Sequence, residues 1–142
     1  MTCVAMADRL EKLAKDLVER EQAHATGLAH ARSLAAELHD LVAQALERFH
    51  ATTRGAAPHL AIELGPVRPD DKHLHAVEFD LRRGRHRAVV TVKSRGEVTL
   101  VGPFHAGKTE APCASFPSDE RREIEAALSE FLVDFIEQAA AP

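Results

Sequence analysis

Residues 5–51 contain no proline and one glycine, Gly27, and through them apolar residues return at alternating spacings of three and four. Ala7, Leu10, Ala14 and Leu17 form one run, and Leu28, Ala31, Ala35, Leu38, Val42, Ala45 and Phe49 form a second. Both runs keep one heptad register, with Glu21 and His24 in the two seam positions between them. A strand alternates its faces every residue, so this spacing commits the segment to helix. A sustained seam with a polar interruption is a coiled-coil pattern. Unbroken, such a helix runs roughly 65–70 Å at 1.5 Å per residue. A domain of this size has a radius of gyration of only about 14–15 Å.

The two halves differ. Leu34, Leu41 and Leu46 flank the seam in the second half and widen its stripe, as expected of a helix lying on a sheet. Only Leu13 and Val18 do so in the first half. Residues 28–51 are therefore expected to pack on a core, and residues 5–26 to form an arm that pairs with something else. The rival reading breaks the helix at Thr26 and Gly27 into a hairpin, but one glycine without proline or asparagine is a weak breaker.

Beyond Gly55 and Pro58 the periodicity changes to two. Residues 59–64, 73–81, 87–93 and 97–101 alternate apolar with polar, with turn residues at Gly65-Pro66, Arg83-Gly84 and Arg95-Gly96. Short turns between alternating strands predict a four-stranded antiparallel meander over 58–101 with one wet face. Residues 102–117, rich in proline and glycine, read as a loop. Ser118 then reads as the N-cap of a closing helix over 118–140, whose stripe runs from Ile124 to Ile136 and packs on the sheet. The expected class is α+β, one domain over 1–142. A chain of this length buries enough surface to hold a core without staples.

Composition narrows the function classes. Cys3 and Cys113 are the only cysteines, so no disulfide framework is expected. No apolar run approaches a membrane span and no signal-peptide layout opens the chain, which makes a cytoplasmic protein the expectation. The net charge of −4 is uneven: residues 54–110 carry ten basic and seven acidic groups, residues 118–137 two basic and seven acidic.

Several motifs suggest chemistry. Gly102-Pro-Phe-His-Ala-Gly107-Lys108-Thr109 matches the phosphate-binding pattern GxxxxGK[ST]. That loop must open a helix so that backbone NH groups cradle phosphate, and here Pro112 and Pro117 follow at once. No nucleotide-binding role is assigned to it. Arg82, Arg83, Arg85 and Arg87, with His86, crowd a hairpin tip that suits an anionic partner. The absence of Tyr and Trp argues against a base-stacking platform. His73 and His75 share a strand face, with His59 or Glu78 as imaginable neighbours, but a metal site needs three or four ligands and none is assigned. No serine sits in a nucleophile elbow, and Cys113 has no feature that activates a thiol. No catalytic residue and no cofactor is expected.

The plan resembles, in architecture alone, small adaptor domains that carry a coiled-coil arm. It is also similar to the small acidic dimeric chaperones of bacterial type III secretion, which interleave a helix among their strands where this chain has none. That resemblance implies a protein partner. The first reading is thus a non-enzymatic homodimeric adaptor, its dimer interface at Leu10, Leu13, Leu17, His24 and Leu28, with a possible chaperone role for a protein client. The second is a nucleic-acid-associated protein using the arginine hairpin. The third is a small-ligand or metal-binding domain using the sheet face.

Overall fold

A computed structural model describes residues 2–70, 75–107 and 110–141. Helix α1 spans Thr2–Thr53 without interruption, about 78 Å at the standard rise. Gly27 lies inside it, so the hairpin reading does not hold. Strands follow at β1 (Glu63–Leu64), β2 (Arg68–Pro69), β3 (Ala76–Arg83), β4 (His86–Lys93), β5 (Glu97–His105) and β6 (Cys113–Pro117), and helix α2 spans Arg121–Ala140. All pairings are antiparallel, in the order β1-β3-β4-β5-β6, with β2 also on β3.

The α+β class and the antiparallel meander stand, but the count of four strands does not. The segment 59–64 keeps only two strand residues, because Pro58–Leu60 forms a 3-10 turn and Leu60 is only partly buried. The segment 102–117 is not one loop: it holds the end of β5 and all of β6. The closing helix starts at Arg121, not at Ser118, because the Ser118 NH donates to the Gly96 carbonyl at 2.9 Å and extends the β5–β6 ladder.

One face of the sheet carries Val77, Phe79 and Leu81, then Ala88, Val90 and Val92, then Val98 and Leu100, all buried. Both helices cover it. Ala31, Ala35, Leu38, Val42 and Leu46 of α1 lie over β3 and β4, and Ile124, Leu128, Phe131, Phe135 and Ala139 of α2 lie over β5 and β4. Arg121 clips the helices together, its Nη1 2.7 Å from Glu37 Oε2. Two histidines on α1 hold the chain that leads into the sheet. His39 Nε2 donates to the Gly65 carbonyl at 2.9 Å, and His50 Nε2 accepts the Ile62 NH at 3.0 Å.

Candidate interaction surfaces

The seam of α1 splits where the globule begins. Beyond Gly27 the seam residues Ala31, Ala35, Leu38 and Val42 are buried and Phe49 is half-buried, though Ala45 and the flanking Leu41 stay exposed, whereas Val4, Met6, Leu10, Leu13, Leu17 and Val18 all stand in solvent. Leu10 is 59% exposed and Leu17 46%, on a helix whose same face is dry farther along. His24 and Leu28 belong to the junction instead. Leu28 packs against the core. The His24 ring stacks on His75, centroids 4.3 Å apart and 11° from parallel. The five expected interface residues therefore divide into three on the open arm and two against the globule.

Gly27 marks the crossing point. A β-carbon built there would lie well inside van der Waals contact distance of the Ser94 carbonyl oxygen, in the turn between β4 and β5. Beside this contact a cleft of about 370 Å³ opens between α1, that turn and Ser118. Its charged groups are already engaged, Glu37 with Arg121, and Lys93 and Arg95 both with Glu97.

The arginine hairpin is largely committed to the fold. Arg83 donates from Nε to the His59 carbonyl at 3.2 Å and from Nη1 to the Ala139 carbonyl. It thereby places a cation at the C-terminal end of α2, where the helix dipole favours one. Arg87 Nη1 closes the turn on the Gly84 carbonyl at 2.6 Å. Arg82 lies 3.4 Å from Asp80 through Nε and 3.9 Å from Glu63 through Nη2. Of the hairpin arginines, only the Arg85 side chain is exposed with no hydrogen bond or ion pair among the described residues. The hairpin thus leaves one guanidinium without a partner among the described residues. Burial, then His105 and Arg83, push the His86 imidazole below its ordinary value.

The uncovered sheet face is polar. Thr91, Thr99 and Ser115 line up across three strands, and the Thr99 and Ser115 hydroxyls lie 3.0 Å apart. At one side Arg68 reaches Glu78 at 3.3 Å and Asp80 at 3.2 Å. Burial raises the Glu78 carboxyl above the ordinary range, and Asp70 adds to the effect against the opposing pull of Arg68. At the other side the Lys93 ammonium donates to Glu97 and holds its carboxyl below that range.

The remaining candidates disperse. His75 meets His24, while His73 lies outside the described residues, as do Lys108 and Thr109 of the GxxxxGKT match. Gly102 of that match sits at a bulge between β4 and β5 with φ +119°, a conformation that favours glycine for backbone reasons alone. The next described helix begins only at Arg121, so the match opens no helix to cradle phosphate. Among the described residues no group of three or more His, Cys, Asp or Glu is arranged to hold a metal. No described helix is long and apolar enough to cross a membrane. The His24–His75 stack and the Gly27–Ser94 contact had no local sequence signal, since each joins positions far apart in the chain. Comparison with family models, with curated proteins and with solved structures found no match.

Proposed function

We propose that this chain is a non-enzymatic interaction protein that works as a homodimer, held by the arm of α1 and presenting its globule to a protein partner. The observation that carries the reading is the exposed stripe at Leu10, Leu13 and Leu17, on a helix whose same face is buried beyond Gly27. Monomers rarely leave a contiguous apolar strip of this length in water. Closed twofold pairing is the commonest way to cover one. Burying a leucine side chain is worth roughly 1.5–3 kcal/mol, so three per chain can hold two copies together despite Glu21 and His24 in the seam. Two exposed, unpaired cysteines suit a reducing compartment, and we place the protein in the cytoplasm.

Leu10→Asp combined with Leu17→Asp tests this by light scattering at tens of micromolar. The wild type should run with the mass of two chains and the double variant as a folded monomer, because residues 28–51 still pack on the sheet. A wild type that is monomeric at that concentration sinks the reading.

A further inference from the structure

We propose that the two arms pair antiparallel, in a register that sets Ala7 of one copy against Leu17 of the other and Leu10 against Ala14. This rests on the dimer reading above and specifies its geometry. The first ground is steric. α1 is one unbroken helix, and the face that carries Leu10 and Leu17 on the arm carries Ala31, Leu38 and Val42 under the sheet. A parallel partner would run along that face at the usual 8–10 Å and meet the sheet at Gly27. Sliding one copy past the other changes nothing, since the seam beyond Gly27 is already covered. Only opposed arms overlap while their globules stay at opposite ends.

The second ground is side-chain size. Parallel arms would stack alanine on alanine at positions 7 and 14, leucine on leucine at 10 and 17, and Glu21 on Glu21. Antiparallel layers mix the two seam positions, so each alanine faces a leucine and packing stays even. Glu21 then lies opposite Cys3 of the second copy, in the first turn of its helix. That turn has no acidic residue of its own, and the positive end of the helix dipole favours one.

The third ground is register. As paired, Cys3 of the second copy faces Glu21, six residues before Gly27 and clear of the Ser94 turn. A shift of one heptad toward the globule would set Leu10 against Glu21 and bring Cys3 of the second copy opposite Leu28, past Gly27 and into the Ser94 turn. A shift of one heptad the other way would set Leu10 against Ala7 and Ala14 against Cys3, and carry Leu17 past Cys3 of the second copy. The two Gly27 residues then stand roughly 45 Å apart along the paired arms, at 1.5 Å per residue.

Glu21→Cys in a Cys113→Ser background tests the orientation. The protein would be treated with a short bis-maleimide and its linked peptides read by mass spectrometry, with light scattering on the same untreated sample. The expected product is a covalent dimer whose links join Cys3 of one chain to position 21 of the other. Links of Cys3 to Cys3 and of position 21 to position 21 would overturn the antiparallel register while leaving the dimer standing. A monomer mass in the untreated sample, with wild type run alongside, would remove the dimer reading itself. A mass of four chains would replace the twofold pair with a bundle and overturn the register as stated.

Discussion

Gly27 of α1 lies so close to Ser94 that a β-carbon on it would stand 3.1 Å from the Ser94 carbonyl carbon and nearer still to its oxygen. Glycine inside a helix ordinarily weakens it by roughly 0.8–1 kcal/mol relative to alanine. Here the close approach reverses the sign. Gly27→Ala should destabilise the protein by about 1–3 kcal/mol, the usual cost of overpacking, because the obstacle is backbone that cannot rotate away. Chemical denaturation of the variant checks it. A gain in stability would mean that the turn yields freely.

Arg83 and Arg85 are two residues apart and should behave differently. Arg83→Ala removes charge-assisted hydrogen bonds to His59 and Ala139 and should cost roughly 1.5–3 kcal/mol. Arg85→Glu, at an exposed site whose side chain has no partner among the described residues, should stay within about 0.5 kcal/mol of wild type. Thermal unfolding of both variants separates a structural arginine from a free one. Equal losses would contradict the assignment.

Glu78 supplies a pH test. Its carboxyl is raised in the folded protein, by burial first and then by Asp70. A raised carboxyl contributes stability fully below the ordinary glutamate range, and that contribution is lost as pH climbs through the raised value. Ionised Glu78 is therefore a net cost at neutral pH, even beside Arg68. Glu78→Gln should stabilise the protein at pH 7 by less than about 1 kcal/mol and make little difference near pH 4. The comparison is of melting temperature against pH for variant and wild type. A variant less stable at pH 7 would show that the Arg68 pair outweighs desolvation.

How far the chain could be read before its structure depended on periodicity. Ala31, Ala35, Leu38 and Val42 announced a buried helix face, and Phe79, Leu81, Val90 and Val92 a buried sheet face, because each pattern repeats over several turns or pairs. Leu60, Ile62 and Leu64 also alternate, yet Pro58 bends the chain into a 3-10 turn and only Ile62 is fully buried. β6 escaped notice because Cys113, Ala114 and Ser115 are neither β-branched nor aromatic, and flanking prolines suggested a loop. It pairs along one edge only and needs little propensity of its own. The arginine hairpin was visible as charge, but the partners of Arg82 and Arg83 were not, since Glu63, His59 and Ala139 reach them only through tertiary packing.

The unbroken phase of α1 across Gly27 also limits how the chain can vary in length. Each added residue turns everything on the N-terminal side by about 100°. Two extra residues before Gly27 would swing the leucines of the arm to the far side of the helix while leaving the globule untouched. Seven would restore their direction to within about 20° and carry the tip outward by about 10.5 Å. Lengthening of this segment thus keeps the direction of the leucine stripe only when the added residues make up nearly whole turns, as seven do.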